Sequence, residues 1–231
     1  MIKQDPILIT GVPRSGTSIV ASVINLSGAF GGEMSKRGML TNDRVREEIV
    51  YPYFEDIQMD KLGQYPLPDT DNLLIPPNWR RDVQQVMIDE GYQGGRWMYK
   101  DSKLALTWPI WNYAFPNAKW IIVRRRTGDI IQSCLKTGFM TAFGSSANQY
   151  AVNAATEQEG WLWWVHQYEA RFVKMIEAGV NCKVIWPERM VHGDYQQMYE
   201  TLEWVGLPWN KGIVNLIDPL LWSDRKKERS I

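Results

Sequence analysis

The chain has little of what many site chemistries need. Its 231 residues hold two cysteines and two histidines. Cys134 and Cys182 are too few for a disulfide framework, and they fall on a helix and at a strand start. They read as two reduced, buried thiols. No apolar stretch approaches the ~18 residues that a membrane helix needs. Residues 1–6 carry no signal-peptide pattern, so a cytoplasmic protein without membrane contact is expected. Neither sign of charge is in excess, with 26 Lys plus Arg against 26 Asp plus Glu. There is thus no overall basic field to favour nucleic acid, and an anion site has to come from local clustering. The one dense basic cluster inside a patterned segment is Arg124, Arg125 and Arg126.

What is present is an ordinary globular composition, 45% hydrophobic and 23% charged, long enough for one domain over residues 1–231. Tryptophan is abundant, with 12 residues. Trp161, Trp163 and Trp164 sit in a long helical pattern and read as core aromatics.

Strands alternate with helices. Apolar runs at 7–10, 97–100, 119–123 and 183–186 read as strands buried on both faces. Helices are expected over 17–26, from a Thr41-Asn42-Asp43 cap to about residue 60, and over 79–90, 104–115, 127–136, 154–178, 195–205 and 211–217. The stretches 31–38 and 63–78 read as loop, the second because of Pro66, Pro68, Pro76 and Pro77. The alternation predicts an α/β fold, a mostly parallel central sheet flanked by helices, P-loop NTPase-like. In such sheets ligands bind beyond the carboxyl ends of the strands. Three chemically loaded segments follow three strand ends: 11–18, 100–103 and 124–133.

The first is Gly11-Val12-Pro13-Arg14-Ser15-Gly16-Thr17-Ser18, between a strand and a helix. Backbone N–H groups of such a turn converge on an anion, and the helix N-terminus adds about half a positive charge. A nucleoside-triphosphate loop needs Lys after its second glycine. Here Thr17 stands there and the cation comes earlier, at Arg14. No apolar strand ends in an Asp placed to hold magnesium, since Val123 is followed by Arg124. The pattern implies a phosphate-like ligand held by cations and hydroxyls, without metal.

These eight residues closely resemble the 5′-phosphosulfate loop of the sulfotransferase superfamily. The Pro-Arg-Ser-Gly-Thr form is most similar to tyrosylprotein sulfotransferases and many bacterial members; cytosolic members usually have Lys at the Arg14 position. In the superfamily a strand ends in Arg and a Ser eight residues later lies on the next helix, together holding the donor's 3′-phosphate. Arg125 and Ser133 fit that spacing, with Arg124 and Arg126 as alternatives in a run of three. Lys100-Asp101 resembles the Lys-Asp pair of the same groups, although Ser102-Lys103 departs from the usual continuation. Residues 200–209 resemble the Phe-Leu-Gly-Leu-Pro helix end, with Gly206 as a helix cap. The resemblance runs from Ile7 to Trp209. It leaves 34–95 unmatched, where acceptor specificity is expected to lie.

The resemblance implies a sulfotransferase that moves a sulfonyl group from phosphoadenosine phosphosulfate to a hydroxyl or amine of a small-molecule, sugar or peptide acceptor, releasing adenosine 3′,5′-bisphosphate. Arg14, Ser15, Gly16, Thr17, Ser18, Arg125 and Ser133 would bind the donor. Arg14 and Lys100 would stabilise charge at the reacting centre. Glu33 would be the base, as tyrosylprotein-type members carry a Glu at a similar place. Asp43 and Glu47 are the competing carboxylates. Cytosolic members use a His, but His166 and His192 both lie well past the Lys100 strand. A P-loop nucleotide kinase and a non-catalytic sulfonucleotide-binding protein are the alternatives.

Overall fold

A computed structural model describes residues 1–35 and 39–217. Residues 36–38, the end of the expected 31–38 loop, lie outside them. Strands β1 (Ile7–Gly11), β2 (Met98–Lys100), β3 (Lys119–Val123) and β4 (Cys182–Ile185) form one parallel sheet in the order β2-β1-β3-β4. The fold is the expected α/β arrangement. The chain leaves β1, pairs β2 on one side of it and then places β3 on the other, so the winding reverses at β1. That reversal opens a crevice at the carboxyl ends.

Successive strand residues point to opposite faces, and both faces are covered. Leu8, Trp120 and Ile122 feed one core; Ile7, Ile9, Ile121 and Val123 feed the other. The first face is covered by α4 (Trp79–Asp89), α5 (Trp108–Ala114), α6 (Thr127–Lys136) and α8 (Glu157–Glu177), with the short α7 (Ser146–Ala151) leading into α8. The second is covered by α1 (Thr17–Leu26), α9 (Pro187–Val191), α10 (Gln196–Val205) and α11 (Ile213–Leu216). Trp161 and Trp164 are fully buried, and the Trp164 indole donates to the Gly63 carbonyl at 3.0 Å, so the aromatic stripe is core.

Three helices differ from expectation. The helix capped by Asn42, whose side chain accepts from the Val45 N–H, is built from α2 (Asp43–Val45), a π turn Arg46–Val50 and α3 (Tyr51–Asp56). Pro52 cannot donate an amide, and the chain widens by one residue just before it. The helix also stops at Asp56 instead of near 60. The expected 104–115 helix is a 3₁₀ turn, Ser102–Leu106, followed by α5, with Pro109 in the first turn of α5. The long helix starts at Glu157, where Thr156 caps it by accepting from Glu159 N–H. The 63–78 segment has no helix or strand, but Gln64 pins it inward, donating to the Phe139 carbonyl at 2.7 Å.

Candidate functional site

The strand register brings the three loaded segments to one edge. Ile9 pairs with both Lys100 and Ile121, and Gly11 pairs with Val123. The loop after β1, Lys100 and the three arginines therefore share the carboxyl edge.

Gly11 is required by crowding: a β-carbon there would come 2.4 Å from the Val123 carbonyl oxygen. The loop then turns through left-handed backbone at Arg14 (φ 76°) and Gly16 (φ 93°). Glycine takes that conformation freely, while at an arginine it costs about 1–3 kcal/mol and has to be held by its surroundings. The holding groups are visible. Arg125 Nη1 donates to the Arg14 carbonyl at 3.3 Å, and Arg14 Nε donates to Ser133 Oγ at 2.9 Å. One residue thus ties the loop to β3's end and to α6. The first turn of α1 has no acidic residue. Its leading N–H groups have no partner within the helix and carry its partial positive charge. Thr17 and Ser18 lie in that turn. Ser15 behaves otherwise: it is fully buried, its Oγ packs toward Gly11, and its N–H donates to the Val12 carbonyl at 3.0 Å. Its amide is taken up by the turn, and its buried hydroxyl has no hydrogen-bond partner among the described residues.

The three consecutive arginines go three ways. Arg124 forms a two-point pair with Glu169 on α8, at 3.2 and 2.7 Å, and lies over the Trp186 ring. Arg126 is the most exposed and reaches Glu188 at 3.5 Å. Arg125 turns to the loop. Burial lowers its pKa, with Asp129 and Glu188 opposing the fall. Beside Arg126 an open cavity of about 570 Å³ is lined by Trp186, Glu188, Arg189, His192 and Asp194.

Lys100, the last residue of β2, is buried. Its Nζ donates to the Met39 carbonyl at 2.5 Å and to Ser18 Oγ at 3.5 Å. Burial pulls its ammonium down to about 8; Asp101 works against that shift, and Lys103 and Arg46 add to it. Asp101 accepts from the Lys103 N–H at 3.1 Å, from Lys103 Nζ at 3.5 Å and from the Tyr99 hydroxyl at 3.4 Å. Burial pushes the Asp101 carboxyl up, but Lys103, Lys100 and Arg46 outweigh it and hold it low.

Arg46 is a residue the sequence reading missed. Its flanking charges make it look like part of a solvated helix face. The π turn instead places it within electrostatic reach of Asp101 and Lys100. It also binds both competing carboxylates, Asp43 at 2.6 Å and Glu47 at 3.2 Å. Glu33 lies exposed between two short bridges, Phe30 to Trp97 and Met34 to Asn42. Its backbone N–H donates to Glu90 Oε2 at 2.8 Å. Among the described residues no hydrogen bond or ion pair joins its carboxylate to Lys100 or Arg14. His192 Nδ1 meets the Glu188 carbonyl at 2.7 Å, away from Lys100. No group of three or more His, Cys, Asp or Glu among the described residues is placed to hold a metal ion. No described helix is long and apolar enough to cross a membrane.

Residues 6–211 match the model of the sulfotransferase family. Three solved structures share the fold. Sulfotransferase STF9 from Mycobacterium avium aligns with a TM-score of 0.56 at 12% identity, over 93% of this chain and 67% of that one. The sulfotransferase domain of the Synechococcus PCC 7002 olefin synthase gives 0.55 at 14% identity, over 97% and 85%. Sulfotransferase STF1 from Mycobacterium tuberculosis H37Rv gives 0.51 at 13%, over 94% and 71%. No curated protein matches the chain significantly.

Proposed function

The chain belongs to the sulfotransferase family, and from that premise we propose that it transfers a sulfonyl group from phosphoadenosine phosphosulfate to a hydroxyl or amine acceptor by in-line displacement at sulfur. The observation that carries this reading is the convergence on Arg14. Its carbonyl accepts from Arg125 and its guanidinium donates to Ser133, so the loop and the Arg-Ser pair expected for two different phosphates form one connected cradle.

In this proposal the N–H groups of Gly16, Thr17 and Ser18 and the hydroxyls of Thr17 and Ser18 take the 5′-phosphate, with Arg14 beside them. Ser15 contributes by holding the turn. Arg125 and Ser133 take the 3′-phosphate, where a forked guanidinium and a helix hydroxyl suit a dianion. The cavity beside Arg126 offers room for the rest of the nucleotide. Lys100, buried next to Ser18, steadies charge that grows on the sulfonyl and bridging oxygens. The acceptor's proton goes to a carboxylate, assigned to Glu33, and adenosine 3′,5′-bisphosphate leaves. Protein cations carry the charge, so donor binding needs no metal. The acceptor is a small molecule, sugar or peptide, and residues 34–95 supply its contacts. The whole of 1–231 is assigned to this one domain. A cytoplasmic setting suits the two free cysteines, Cys134 and Cys182.

Turnover of radiolabelled donor across a panel of hydroxyl and amine acceptors tests the reading. Label reaching an acceptor supports it. Tight nucleotide binding with no transfer to any acceptor would favour a binding protein, and magnesium-dependent phosphoryl transfer would favour a kinase.

A further inference from the structure

The opposite edge of the sheet carries a second group of cations that the proposed reaction does not use. Arg96 precedes β2, Lys119 opens β3 and Lys183 is the second residue of β4. Ile121 pairs with Lys183. Residues two apart on a strand share a face, so Lys119 and Lys183 both stand on the face covered by α10. There they meet its middle and its last turn. Lys119 Nζ donates to the Trp204 carbonyl, and Lys183 Nζ donates to the Glu200 carbonyl at 3.2 Å. The two ammonium groups lie 5.4 and 5.5 Å from the centre of the Trp204 ring. Arg96 comes from the other side. It lies against Gly206, where a β-carbon would sit 3.0 Å from its Nη2. Gly206 ends α10 in left-handed backbone, φ 77°.

Among the described residues nothing of full negative charge is paired with the three. None of them is in an ion pair with a described residue. Burial, Arg96 and Lys183 all push the Lys119 ammonium below its usual value, and no carboxylate offsets them. The helix end supplies only about half a negative charge. Each ammonium spends one of its three donors on a carbonyl. The Arg96 guanidinium donates to no described residue. All three side chains and Trp204 are half-buried, so the group is open to solvent.

We propose that Arg96, Lys119 and Lys183, gathered around Trp204, form a second anion site that takes a small tetrahedral oxyanion, free sulfate or phosphate, on the edge of the sheet opposite the transfer site. Donors arriving from three chain segments suit an ion with several acceptor oxygens, and a guanidinium fork can meet two of them at once.

The test is a titration of the full chain with inorganic sulfate and with inorganic phosphate, followed by NMR at the Trp204 indole N–H and the Gly206 amide. Trp204→Phe assigns the indole signal. Both signals should move saturably with either oxyanion and stay still in chloride at matched ionic strength. The charge-neutral pair Arg96→Gln with Lys183→Gln should weaken binding by at least about tenfold, while Arg96→Lys with Lys183→Arg should keep it. If the neutral pair does not fold, Lys183→Gln alone serves, since that side chain is half-buried at a strand start. Absence of saturation in the natural sequence, an equal response to chloride, or unchanged binding by the neutral variant would overturn the site. Shifts at the Gly16 and Thr17 amides report the β1 loop separately, so a failure there leaves the outcome at Trp204 readable.

Discussion

Both edges of the sheet gather cations around a helix end, and the sign of that end separates them. At the carboxyl edge Arg14, Lys100 and Arg125 surround the N-terminus of α1, and its partial positive charge adds to theirs. At the amino edge Arg96 and Lys119 meet the C-terminus of α10, whose partial negative charge subtracts, and Lys183 joins them over the Trp204 ring. The first arrangement carries strained backbone at Arg14 held by part-buried hydrogen bonds, and in the proposed function it meets a strong anion. The second already stabilises a helix end and has only donors to spare. Under the two proposals above, the same residue types build a site for a polyanionic substrate at one edge and a weaker oxyanion site at the other.

The largest expected effect lies beside the carboxyl edge. If Glu33 takes the acceptor's proton, Glu33→Gln keeps donor affinity and lowers kcat by about 10²–10⁴-fold. Unchanged turnover would move the role to Asp43 or Glu47, which already sit beside Arg46. Lys100→Met is expected to lower kcat by about 10²–10³-fold, because a cation aimed at developing charge is lost; a change confined to KM would contradict that role. Arg125→Ala should weaken adenosine 3′,5′-bisphosphate by about 2–3 kcal/mol in calorimetry. It should affect adenosine 5′-phosphosulfate far less, since that ligand lacks the 3′-phosphate. Equal weakening of both would give the 3′-phosphate to another group.

A smaller effect is a pH limb. Lys100 in the free protein is pulled down to about 8, so it is charged below that pH and neutral above it. As pH rises through that value, kcat/KM for the donor should fall. Bound donor brings negative charge and raises the same pKa, so the limb in kcat should lie at higher pH. Lys100→Arg should remove the limb; a limb that persists would assign it elsewhere. The smallest expected effect is at the amino edge, where Arg96→Gln with Lys183→Gln should leave kcat unchanged. A large loss of turnover there would erase the contrast between the edges.

Much of this was legible in the sequence. α1, β3 and α6 have the bounds that their apolar patterns predict, because each is a regular element between clear stop signals. The loop stood out because glycine is needed where β3 crowds Gly11 and where the backbone turns left-handed at Gly16. Other features depend on geometry that no local pattern carries. Three identical arginines cannot be told apart until the strand end and helix start set their directions. Arg46 looks solvated until the π turn before Pro52 rotates it toward Asp101. Lys119 and Lys183 read as ordinary strand starts, and only the packing of α10 across the sheet brings them together.

The central claim is that the carboxyl edge is built for a 3′,5′-bisphosphorylated adenosine held by protein cations. Calorimetry with adenosine 3′,5′-bisphosphate, ATP and GTP, each with EDTA and with magnesium, tests it most directly. The account predicts that the bisphosphate binds tightest and equally well in EDTA. Tighter binding of magnesium-ATP or magnesium-GTP, or loss of bisphosphate binding in EDTA, would contradict it.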